Sequence, residues 1–205
     1  MLGPQLDRLL NLGLSQLAAV DESELRTMVS DLPDEPDGML VVHPTLVSPQ
    51  RLTPLLERQG KPGFVVSDFT DLDEFVDLEP CVHVPDRPLY VLRDVQRGDE
   101  LRNQSPNEAL PVIIGAGRSP LTMNEGLSWL LQEPEALQPN HCFMTIGSRK
   151  QGRRGLDART PAIWISGGAG RDGTVNAGAP KLGWCWAGNR HTWLGFASTA
   201  GRCPS

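Results

Sequence analysis

The side chain best placed to move a proton is His191, and it stands among tryptophans. Four of the five tryptophans fall between Trp164 and Trp193, and His191 lies between Trp186 and Trp193 in the run APKLGWCWAGNRHTWLGFAS, residues 179–198. An imidazole beside indoles suits two kinds of chemistry. As a polar contact next to stacking rings it would help hold a planar or cationic ligand. As a general base it would need a second polar group, Ser148 or Cys185, to converge on it. Arg149 and Arg190 are the candidate anion partners, because a planar guanidinium fork matches a carboxylate or phosphate. The structural alternative is a core in which His191 caps an aromatic cluster through backbone hydrogen bonds.

Other constellations carry less. Cys185 and His191 are six apart, His141-Cys142 are adjacent, and Cys81 and His83 of Cys81-Val82-His83 would share one side of a strand, but no CxxC or HxxxH pair accompanies them. No metal and no cofactor is therefore expected. Ser166-Gly167-Gly168-Ala169-Gly170-Arg171-Asp172-Gly173-Thr174 follows a strand but lacks the lysine and the following helix of a phosphate loop. That stretch and Gly115-Ala116-Gly117 read as hairpin loops. Arg149, Lys150, Arg153, Arg154 and Arg159 form a basic loop. The chain as a whole is acidic, with no nucleic-acid-binding motif, so a solvated loop is the better reading. Cys142 and Ser148 lie outside any G-x-S-x-G elbow. The carboxylates of 31–37 and 71–79 read as surface.

These side chains need elements to position them. If Gly188-Asn189 forms a two-residue turn, strands 181–187 and 191–197 pair as an antiparallel hairpin, with Trp184 opposite Trp193 and Trp186 opposite His191. Alternation then gathers Trp184, Trp186, His191 and Trp193 on one face. Leucine spacing predicts two helices over 1–32, the second starting at Asp21. Further helices are expected from Ser48-Pro49 to about Gln59, over 105–114 despite Pro111, and from Thr122 to about Leu131. Strands are expected at 39–43, 63–66, 88–92, 142–146 and 161–166. The fold expected is α+β, with N-terminal helices followed by a mixed sheet and a C-terminal antiparallel β-hairpin in one compact domain. Residues 1–34 would be a helical segment packed on a core of 38–205.

The 205 residues carry a net charge of −6 that is unevenly spread, with residues 1–100 at −11 and residues 101–205 at +5. Two halves that pack together would neutralise one another. The four cysteines, the absence of a basic leader and the lack of a long apolar run point to a reduced, cytoplasmic protein without a membrane span.

The segments EGLSWLL (125–131), IGSR (146–149), RTPAIWIS (159–166) and residues 179–198 resemble an uncharacterised bacterial family of unknown function, as does LDRLLNLGLSQLA near the start. The stretches KQGRRGLDA and GGAGRDGTVNAG are longer than in that family. The resemblance implies a coherent domain and no particular activity. The function expected is binding of a small anionic or aromatic ligand by Trp184, Trp186, His191 and Trp193 with Arg149 or Arg190. An enzyme with His191 as general base, and a protein–protein adaptor using the acidic N-terminal half, are the alternatives.

Overall fold

Three helices open the chain rather than two: α1 (Gly3–Asn11), α2 (Leu14–Ala18) and α3 (Glu22–Ser30). Gly13 at φ +93° and Ala19 at φ +54° break the leucine-rich run into short pieces. The structure is a computed structural model and describes residues 1–153 and 155–203, so Arg154 of the basic loop lies outside the described residues. Strand β1 (Met39–Val42) follows, then α4 (Pro49–Leu52), which stops well short of the expected Gln59. Pro54 has no N–H to continue it, so the helix tightens into a 3-10 turn at Thr53–Leu55. Gln59 and Gly60, both at positive φ, then turn a small hairpin that pairs Arg58 with Lys61.

The remaining main elements are β2 (Phe64–Val65), β3 (Val76–Asp77), β4 (Leu89–Arg93), α5 (Pro106–Gly115) and α6 (Met123–Gln132), then β5 (Cys142–Met144), β6 (Ser148–Arg149), β7 (Arg159–Ile165), β8 (Pro180–Trp186), β9 (Leu194–Phe196) and β10 (Gly201–Cys203). The fold is α+β. Helix α5 keeps its course through Pro111 behind a Ser105/Glu108 capping box. Gly115-Ala116-Gly117 ends that helix, with Gly117 at φ +72°, and is not a hairpin loop. The 166–178 stretch does join two antiparallel strands, β7 and β8.

Two sheets enclose α6. One runs β1-β4-β10 and is antiparallel throughout; the other is mixed, in the order β9-β5-β7-β8-β2. Every residue from Met123 to Leu131 is buried, because α6 packs on β1 from one side and on β7 from the other. Gly126 permits that approach: a Cβ there would lie 2.6 Å from the Thr145 methyl and 3.1 Å from the Phe143 ring. One apolar cluster runs from Leu2 to Cys203, and α1 joins it by packing on α6 and β1.

The expected C-terminal hairpin is replaced by different pairings. Strand β8 pairs antiparallel with β7 and parallel with β2, whereas β9 pairs parallel with β5 at the opposite edge of the sheet. Trp184 therefore faces Pro161 and Trp186 faces Arg159, not Trp193 and His191. The cause lies in the intervening residues. Asn103 and Asn107 donate their backbone N–H groups to the carbonyls of His191 and Ala187, so the chain at 187–193 is tied to α5 and the turn before it instead of folding back on β8.

Candidate functional site

A cavity of about 330 Å³ opens at the N-terminus of α6. Its polar lining is His43, Thr45, Ser48, Asp77, Thr122, Asn124 and Ser148, set against an apolar wall of Leu72, Phe75 and Met123. Asp73 stands at the exposed rim. No lysine or arginine lines it among the described residues.

Each polar group is placed by backbone constraints. Gly147 fits where a Cβ would lie 2.5 Å from the Pro120 carbonyl oxygen, and its N–H donates to Leu121 O at 2.9 Å. The chain then turns so that Ser148 Oγ accepts from the Met123 N–H, the first amide of α6, at 3.0 Å. Strand β6 pairs antiparallel with β3, which sets Asp77 directly across from Ser148. Asn124 Nδ2 donates to Val42 O at 2.8 Å and Val47 O at 2.9 Å, using both amide hydrogens and leaving Oδ1 as an acceptor. His43 follows β1. Its Nδ1 accepts from the Thr45 N–H at 3.1 Å, so the neutral ring carries its proton on Nε2. Burial pushes the His43 pKa below its usual value.

Behind the cavity lies a closed polar cluster. Glu125 is fully buried, and its Oε1 accepts from Tyr90 Oη at 2.9 Å and Arg202 Nε at 2.6 Å. Its Oε2 accepts from an Arg202 terminal nitrogen at 2.8 Å and from the Thr122 N–H at 2.7 Å, the latter completing a capping box. The remaining Arg202 donors reach Ser119 Oγ and Pro120 O. Asp77 is the opposite case: no described group donates to its carboxyl. Burial, reinforced by repulsion from Glu125 and Glu79 and opposed by Arg202, pushes its pKa up to about 6.

The residues singled out by the sequence do not share one face. Alternation along β7 and β8 puts Trp184 and Trp186 with Arg159, opposite to Trp164 and Lys181. Trp184 and Trp186 meet edge-on at 4.8 Å, and the Arg159 guanidinium sits 5.7 Å from the Trp184 ring. His191 and Trp193 form a separate group, in which Trp193 contacts Trp164 at 6.3 Å. His191 Nε2 is buried and meets no hydrogen-bond partner among the described residues, and burial lowers its pKa. Cys185, proposed to converge on it, is pushed up to about 11 by burial, so its thiol stays protonated at neutral pH. Arg190 pairs with Glu108 on α5. Arg149 is buried, with one terminal nitrogen donating to Asp157 O at 2.9 Å and its Nε unpartnered.

The basic loop is answered by the acidic half of the chain. Lys150 pairs with Asp71 at 2.7 Å and Glu74 at 3.0 Å, and Arg159 pairs with Asp71 at 2.6 Å. Arg159 also holds the Asp71 carboxyl well below the usual carboxylate range.

The profile of a family of unknown function, DUF5701, matches residues 8–205. The chain belongs to that family. No curated protein and no solved structure matches it. In this DUF5701 chain the matched span takes in both the cavity and the tryptophan-rich stretch. Among the described residues no group of three or more His, Cys, Asp and Glu side chains is placed to hold a metal ion, and no helix is long and apolar enough to cross a membrane. Sequence reasoning missed His43, Asp77 and Asn124. Of the candidates it named, Ser148 lines this cavity, away from the tryptophans and not beside His191 as expected, and the Thr122 start of α6 lies at its mouth.

Proposed function

We propose that this protein binds a small molecule, and that its site is the cavity at the N-terminus of α6. One observation carries this reading. The half-buried Asp77 lines a cavity, and its carboxyl receives no hydrogen bond from the described residues. Leaving a partly desolvated carboxylate uncompensated is costly, whereas a bound ligand supplies the missing hydrogen bonds. The convergence of Asp77, Ser148, Asn124 and His43 on an apolar wall has the usual composition of a ligand site. Four cysteines without a disulfide partner accord with a cytoplasmic protein.

A fragment screen by ligand-observed NMR tests the reading. Fragments that bind the wild type should lose binding in Asp73→Trp, which plugs the rim from an exposed position. Retention of all binding in that variant would sink the proposal. A second reading, that of an enzyme, rests on Asp77 as the proton-transfer group, since a carboxyl near pKa 6 beside the Ser148 hydroxyl is suited to general acid–base work. His191 supports that reading less well, because its Nε2 meets no hydrogen-bond partner among the described residues. The Trp184–Trp186 pair, whose Trp186 is half exposed, offers a stacking surface as the alternative binding location, and Trp186→Ala separates the two.

A further inference from the structure

We propose that the ligand taken by the α6 cavity carries a cationic nitrogen, an ammonium or amidinium group, seated on the Asp77 carboxylate with a compact apolar body against Leu72, Phe75 and Met123. This rests on the reading of the cavity as a binding site and adds the chemical class. The argument is one of charge and hydrogen-bond inventory. Asp73 and Asp77 are the charged residues lining the cavity among those described. The guanidinium that acts on Asp77, Arg202, is buried and committed: its donors go to both oxygens of Glu125, to Ser119 and to Pro120. It cannot turn to Asp77 without stranding the fully buried Glu125. His43 supplies no charge either, because its Nδ1 is occupied as an acceptor by the Thr45 N–H. The positive end of α6 is already met by the Glu125 carboxylate and by Ser148 Oγ.

The described residues thus provide no free cation for Asp77, and the donors left in the cavity, His43 Nε2–H and the Ser148 hydroxyl, are neutral. Asn124 has spent both amide hydrogens and keeps Oδ1, and Asp77 keeps both carboxylate oxygens. An acid-lined cavity without a free cation among the described residues selects a cation and rejects an anion, the opposite of the anionic ligand expected from the tryptophan-rich stretch.

Titration calorimetry with benzamidine, agmatine and the neutral isostere benzamide tests the class. At about pH 7.5 a cation should bind the wild type at least roughly tenfold more tightly than benzamide. Binding of that cation should weaken roughly tenfold at about pH 5, where Asp77 is protonated, and by a similar factor in Asp77→Asn. The charges acting on Asp77 in that range are Glu125, Glu79 and Arg202, with Asp73 at the rim and His43 neutral at the upper pH; the one cation among them, Arg202, is held on Glu125. Equal binding of benzamide and benzamidine, or full retention of cation binding by Asp77→Asn, overturns the assignment. Neutral fragments that bind, and are blocked by Asp73→Trp while no cation binds, likewise overturn the cationic class and leave the cavity as a site. Failure of every fragment removes the binding site itself and this inference with it.

Discussion

Two carboxylates within electrostatic reach of one another are treated in opposite ways. Glu125 is sealed in the core and receives hydrogen bonds from Tyr90, Arg202 and Thr122. Asp77 lines an open cavity at the α6 N-terminus and receives none from the described residues. Glu125 is a structural anion: its partners fix the cap of the central helix and join β4, β10 and α6. Asp77 has no structural partner, so its position makes sense through what enters the cavity. Burial alone does not mark a functional carboxylate; burial without compensation does.

The largest effect that would test this contrast comes from Arg202→Met. Removing the guanidinium leaves Glu125 buried and unpaired, and urea denaturation should show a loss of about 3–5 kcal/mol. A loss below about 1 kcal/mol would mean that Glu125 is not held as described. Asp77→Asn should act in the other direction, stabilising the ligand-free protein at neutral pH by about 1 kcal/mol once solvent screening of this partly exposed group is allowed for. The sign follows from linkage. The folded-state pKa of about 6 lies above the ordinary 3.8, so the native state holds its proton more tightly than the unfolded chain. The penalty from Asp77 is absent below about pH 4 and complete above about pH 6, and the gain in Asp77→Asn should therefore appear between those values. A variant less stable than the wild type at pH 7 would assign Asp77 a structural role like that of Glu125. The smallest effect is expected from Trp186→Ala, at about 1 kcal/mol or less, since Trp186 is half exposed and its main ring partner is Trp184. Ligand binding at the cavity should not change in that variant. If it did, the site would belong to the aromatic region.

Much of the scaffold was legible in the sequence. Helix α6 with Trp129 and Leu127 inward, the Ser105 start of α5, and strands β1, β4, β7 and β8 all follow from apolar spacing and capping residues. Charge counting led to mutual neutralisation of the two halves, which the Asp71 pairs realise, but the basic loop read as solvated, and the pairing of Lys150 and Arg159 and the burial of Arg149 correct that. The pairing of β8 did not follow, because a two-residue turn signal at Gly188-Asn189 is local. The competing partner, β7, lies across a loop whose Ser166, Asp172 and Lys181 contacts pin it. Asp77 was hidden for a related reason. It belongs to an acidic stretch that reads as solvated surface, and only the two-residue pairing of Asp77 with Ser148 turns it inward. Pairings that short leave no periodic trace.

The clamp on Glu125 has a consequence for biogenesis. Its guanidinium comes from Arg202, 77 positions further along the chain. A nascent polypeptide in which β10 is still inside the ribosome exposes both sheets' central helix with an unanswered charge at its cap. Consolidation of that helix between its two layers is accordingly completed only once β10 has emerged and Arg202 can reach Glu125.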